Sequence, residues 1–155
     1  MKKVITILLT ILITILLLPN KASAQPLGGL SLMLEQFYAR GGEIYSDEDL
    51  NLLSEVIYYE NFWNGDYIMR LTGSVVLNRV KHPEFPNTIK GVLYQKGQYA
   101  TVPMFFKQKI PKEVREIARD LLIGGSICPD NVIFQAQFKQ GRGIYYVENG
   151  EYFCY

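Results

Sequence analysis

From Ser46 to Gly125 the apolar residues recur at intervals of three and four, and beyond Pro129 that period gives way to short aromatic and β-branched runs. A switch from helical to strand periodicity restricts the fold to helices first and a small antiparallel sheet last, an α+β arrangement in one domain. Ser46, with Asp49 three residues on, is a capping-box-like helix start. Leu50, Leu53, Val56, Ile57 and Glu60 follow at helical spacing until Asn64-Gly65 breaks the helix. The spacing predicts a second helix over about Asp66–Lys81, with Ile68, Leu71, Val75 and one of Val76 or Val80 inward, ended by Pro83 and Pro86. A short helix around Thr88–Tyr94 and an irregular stretch through Pro103 come next. Pro111, a common first helical residue, opens a helix with Val114, Ile117, Ala118, Leu121 and Leu122 inward, stopped at Gly124-Gly125. Strands are expected over Asn131–Phe138, Ile144–Val147 and Glu151–Tyr155, separated by glycine-containing turns.

The first 24 residues form a separate unit. Met1-Lys2-Lys3 is a short basic start, and Val4–Leu18 contains only Val, Ile, Leu and Thr. Ala22-Ser23-Ala24 then places small residues where a signal peptidase cuts, so residues 1–24 read as a secretory signal peptide with cleavage before Gln25. The apolar run is shorter than the ~20 residues a membrane span requires. Residues 25–46 read as a linker and a weak helix, and 47–155 as the functional domain. The chain is therefore expected to be secreted, to the cell wall or the extracellular space.

Composition excludes several function classes. Charged residues make up 20% of the chain, which fits a folded domain rather than a disordered one. Sixteen Lys and Arg nearly cancel fifteen Asp and Glu, so no nucleic-acid partner is expected. One histidine, His82, and two cysteines offer no multi-imidazole or four-thiolate metal site, and neither metal nor cofactor is expected. Pairing of Cys128 with Cys154 would close a loop of about 25 residues, worth ~3 kcal/mol in the chain-entropy model; sequence alone leaves the pairing open. Asn78, polar among Val75–Val80, reads as a buried structural hydrogen-bonder.

Glu60 carries the chemistry. Its spacing from Leu53, Val56 and Ile57 puts the carboxyl at the edge of the apolar stripe, with Tyr58, Tyr59, Phe62 and Trp63 as sequence neighbours. Apolar surroundings disfavour the ionised form, the property a general acid needs to protonate a glycosidic oxygen. Aromatic side chains of this kind stack against sugar rings. From the pattern alone, a boundary glutamate paired with a nearby Arg or Lys is an equally open reading.

Four ordered stretches add to this: EVIYYEN (55–61), GSVVLNRV (73–80), FPNTIKGVLYQKGQYAT (85–101) and NGEYFCY (149–155). Together they resemble the catalytic domain of the SleB/CwlJ cell-wall hydrolases, over residues from about 48 to 155. The resemblance implies a compact fold like that of lysozyme and the lytic transglycosylases. It also implies cleavage of peptidoglycan glycan strands between N-acetylmuramic acid and N-acetylglucosamine, with Glu60 as the single catalytic acid. Where the family has a small residue before the acid and Ala after it, this chain has Tyr59 and Asn61; Gln98-Tyr99-Ala100 stands for the family's Gln-Phe-Ser. Gln98 and Tyr99 are expected to line the cleft, with Gln135, Gln137 and Tyr145 contributed by the sheet. Asp66 and Glu84 are the candidate second carboxylates should the enzyme hydrolyse rather than transglycosylate. A monomer is expected, with a possible targeting protein as partner. The other function class is a catalytically inactive wall-binding module of the same fold.

Overall fold

The computed structural model describes residues 45–155. The expected signal peptide, and the linker with its weak helix up to residue 44, lie outside the described residues. Helix α1 spans Asp47–Asn61, capped by Ser46, whose hydroxyl accepts from the Asp49 amide while the Asp49 carboxylate accepts from the Ser46 amide. Three acidic residues in its first turn, Asp47, Glu48 and Asp49, face the positive end of the helix dipole. A turn of 3₁₀ helix, Phe62–Asn64, leads to Gly65, whose φ of +88° suits glycine and lets the chain reverse into α2, Asp66–Lys81. Helix α3, Ile89–Leu93, is capped by the Thr88 hydroxyl. An irregular segment with one 3₁₀ turn, Val102–Met104, runs to α4, Lys112–Gly124. Pro111 stands one position earlier than expected, as the cap of α4 rather than its first residue.

The sheet is small. Strands β1 (Phe134–Ala136), β2 (Ile144–Glu148) and β3 (Glu151–Cys154) pair antiparallel in the order β1-β3-β2. Asn149 and Gly150 both take positive φ between β2 and β3, the two-residue hairpin turn that Asn-Gly favours. Strand β1 is shorter than the run Asn131–Phe138 suggested. Tyr145 is the extra residue of a bulge: Ile144 faces Cys154 and Tyr146 already faces Phe153.

Helix α2 is the centre of the domain and is buried on more than one side. One side joins α1, α3 and α4 in the larger apolar cluster, through Met69 and Val76. The other carries Ile68, Leu71 and Val75 against Cys128, Val132 and Phe153 of the sheet side. Val76 is fully buried and Val80 only partly, which resolves the open choice between them. Where the helices cross, a Cβ on Gly73 would meet Leu121 Cδ1 at 2.5 Å and Ile57 Cδ1 at 2.9 Å, so this glycine permits the close approach. Phe153 and Cys154 are both fully buried but point to opposite faces of β3, as successive strand residues must. Cys128 clusters with Phe153, and both cysteines are free thiols.

Two polar side chains of α2 fasten β1 and the loop before it. Asn78, fully buried, donates through Nδ2 to the carbonyls of Pro129 (2.8 Å) and Val132 (3.0 Å). Arg79 donates from Nε to Ile133 O at 2.7 Å. Asn78→Ala removes both bonds and leaves the Val132 carbonyl without a donor, while Pro129 O keeps the Val132 amide; it is expected to lower stability by about 2–3 kcal/mol. Alanine favours helix over asparagine, so a loss measured by chemical denaturation reports the tertiary bonds; an unchanged midpoint would contradict this role.

Candidate functional site

Glu60 occupies the last turn of α1, half-buried, and its Oε1 accepts a hydrogen bond of 2.5 Å from Thr101 Oγ1. Thr101 belongs to the irregular segment before the 3₁₀ turn, so the carboxyl is fixed by an element distant in sequence. Glu60 lines a cleft of about 240 Å³ together with Tyr58, Tyr59, Phe62, Trp63 and Gln108. The aromatic wall is itself packed. Tyr59 stacks on Phe105 (5.9 Å between centroids, 15° between planes), and Tyr58 rests against Phe62 at 4.9 Å. The bulky residue before the acid is thus taken up by packing against Phe105.

Tyr99 and Gln135 are carried by other elements. The Arg79 guanidinium lies over the rings of both Phe85 and Tyr99, 5.1 and 5.3 Å from their centroids. The Tyr99 hydroxyl is a buried atom with no hydrogen-bond partner among the described residues. Burial pushes its pKa up, the Glu60 charge adds to the rise, and Arg79 opposes it. Gln135 lies on β1 with its Oε1 buried without a partner, and Glu151 stands at the start of β3. Glu151 is half-buried; burial raises its pKa, the charge of Glu60 raises it further, and Gln135 lowers it.

The remaining candidates are placed elsewhere. Gln98 is exposed in the turn after α3, where its amide donates to Gln95 O. Gln137 is exposed just past β1, and Tyr145 is exposed on the bulge. Among the described residues no hydrogen bond joins these three to Glu60. Asp66 is an outward carboxylate, 66% exposed and bonded to Arg70 at 2.8 Å. Glu84 is exposed in the turn after α2. Sequence reasoning missed Thr101, Arg79 and Glu151. Only Glu151 had a legible signal: it starts a strand directly after Asn149-Gly150 and shares its face with Phe153. Among the described residues no cluster of three or more His, Cys, Asp or Glu could hold a metal ion, and no helix is long and apolar enough to cross a membrane.

Residues 65–150 match the family described as Cell Wall Hydrolase; the match begins five residues after Glu60. The fold is that of the catalytic domain of the Bacillus cereus SleB protein, at a TM-score of 0.59 and 20% identity over 72% of this chain and 92% of that one. The catalytic domain of the germination-specific lytic transglycosylase SleB from Bacillus anthracis superposes equally well (TM-score 0.59, 18% identity, 72% and 97% covered). Among curated proteins no sequence matches.

A further carboxyl is buried in the same helix. Glu55, 4% exposed and just over one turn before Glu60, has its Oε2 buried without a partner. Phe106 has a φ of +61°, unusual for a bulky residue, in the segment that brings Gln108 to the cleft wall. Burial pushes the Glu55 carboxyl up, against the Phe106 amide and the Arg115 charge. The fold thus binds this proton more tightly than the unfolded chain does. The cost of ionised Glu55 is complete above the raised pKa and is relieved as pH falls toward the ordinary value of 4.5. Glu55→Gln is expected to melt higher than the parent at pH 7, with the advantage shrinking as pH is lowered toward 4.5. Melting curves across that range check it; a constant difference, or a less stable variant at pH 7, would contradict it.

Proposed function

The chain belongs to the cell wall hydrolase family, and from that premise we propose that it is a secreted enzyme that cleaves peptidoglycan glycan strands, with Glu60 as the catalytic acid. The observation that carries this reading is the position of Glu60: a half-buried carboxyl at a helix end, on the wall of an aromatic cleft, oriented by Thr101. Protonated Glu60 gives its proton to the oxygen bridging N-acetylmuramic acid and N-acetylglucosamine as the bond from the muramyl C1 breaks. The muramyl N-acetyl group supports the electron-poor C1. The Glu60 carboxylate then takes the proton of the same sugar's 6-hydroxyl, whose oxygen closes on C1. The product is a 1,6-anhydromuramyl end, and Glu60 regains its proton. One carboxyl serves both steps, so this is lytic transglycosylation. Residues 1–24 would direct export, and the cleft itself, or a targeting protein, would bring the enzyme to its polymer.

Glu151 supports a second reading. Its charge interaction with Glu60 makes it the carboxylate placed to activate water, giving hydrolysis instead. Asp66 does not suit that role, being exposed and held by Arg70. On the transglycosylase reading, Glu60→Gln lowers muropeptide release by ~10²–10⁴-fold, the usual contribution of general acid–base catalysis. Asp66→Asn stays close to the parent, since an exposed ion pair contributes little, and Glu151→Gln loses much less than Glu60→Gln. Rates are compared on purified peptidoglycan at matched melting temperature. A Glu151→Gln loss equal to that of Glu60→Gln favours hydrolysis; near-normal release by Glu60→Gln overturns the assignment of the acid. No release by the parent chain points to a binding module.

A further inference from the structure

Trp63 is the only tryptophan of the chain and is 89% exposed, the most exposed large apolar side chain among the described residues. It is held there by a rigid turn. Asn61, 2% exposed, donates from Nδ2 to Thr72 Oγ1 at 2.8 Å and accepts at Oδ1 from Asn64 Nδ2 at 2.7 Å. Thr72 in turn donates to Ile68 O. The residues on both sides of Trp63 are thus bonded to each other, and through Asn61 to the buried face of α2. The indole touches Phe62 edge-on, 4.8 Å between centroids and 70° between planes, which leaves most of its faces in water.

An indole held in water on the wall of a cleft offers a ligand apolar surface to cover, and covering it is favourable. This surface lines the same cleft as Glu60, three residues away, with the amides of Asn64 and Gln108 on the same wall. An indole face beside amide side chains matches a pyranose ring, whose C–H face is apolar and whose rim bears hydroxyls and an N-acetyl group.

We propose that Trp63 is the stacking platform of a sugar subsite beside Glu60, covering one pyranose ring of the glycan strand next to the bond that is cleaved. The inference rests on the glycan-cleaving reading above for its ligand and deepens it by assigning a binding residue. Stacking there holds the strand in register with the Glu60 carboxyl.

The single tryptophan reports on its own subsite. Glu60→Gln protein is titrated with soluble oligosaccharides of alternating N-acetylglucosamine and N-acetylmuramic acid while indole emission is followed. A saturable blue shift is expected as the ring leaves water. Emission that stays unmoved at saturating oligosaccharide overturns the subsite, whether or not the parent enzyme cleaves peptidoglycan. In the active chain, Trp63→Ala is expected to raise KM about tenfold, the effect of losing ~1.4 kcal/mol of binding, with a smaller effect on kcat. Trp63→Phe recovers most of the loss. A Trp63→Ala enzyme with parental KM overturns the subsite and leaves the catalytic reading standing; absence of muropeptide release by the parent overturns the catalytic reading, and the fluorescence titration still decides the subsite.

Discussion

A buried hydrogen bond between the end of α1 and the middle of α2 determines where the chemistry is placed. Asn61 Nδ2 donates to Thr72 Oγ1 inside the domain, with almost no solvent contact for either group. In such a setting an unmade bond would cost ~1–3 kcal/mol, so the pairing specifies as well as stabilises. It closes α1 one residue after Glu60 and fixes the reversal through Gly65. The same amide anchors the turn that carries Trp63. The carboxyl and the indole are therefore referred to one rigid point, and of the cleft's lining only Gln108 arrives from a separate segment.

Those elements meet because α2 is buried on both sides. A helix with one apolar stripe could pack against its neighbouring helices or against a sheet, but not both. Here Val76 serves the helical cluster, while Ile68, Leu71 and Val75 serve the sheet side. Polar residues of the same helix finish the attachment, Asn78 and Arg79 to the backbone around β1. Arg79 has a second function in the architecture, since its guanidinium lies over the Tyr99 ring. The backbone leading into the strand that carries Gln135 and the segment that carries Tyr99 are thus tied to one side chain.

Much of this was legible in the residues. The capping box at Ser46, the break at Asn64-Gly65 and the stop at Gly124-Gly125 are local signals, and each helix boundary follows them closely. The Asn149-Gly150 turn likewise fixed the last hairpin. Helical spacing puts Glu60 beside the apolar stripe, and the resemblance to the cell-wall hydrolases is what singled it out as the acid. What could not be read was contact across the irregular segment from Tyr94 to Ile110, which has no period. Thr101, three residues from the expected Gln98, is the residue that bonds Glu60. The bulge at Tyr145 also lay beyond pattern reading, because one extra residue shifts the alternation of β2 and leaves Tyr145 exposed. Gln137 fell past the end of β1, because that strand stops at Ala136.

The central claim is that one carboxyl, Glu60, both donates and recovers the proton, so that no water enters the product. Mass spectrometry of the muropeptides that the unaltered chain releases from purified peptidoglycan tests this most directly. The account predicts 1,6-anhydromuramyl ends, lighter by one water than the hydrolytic product. Fragments ending in reducing N-acetylmuramic acid would contradict it.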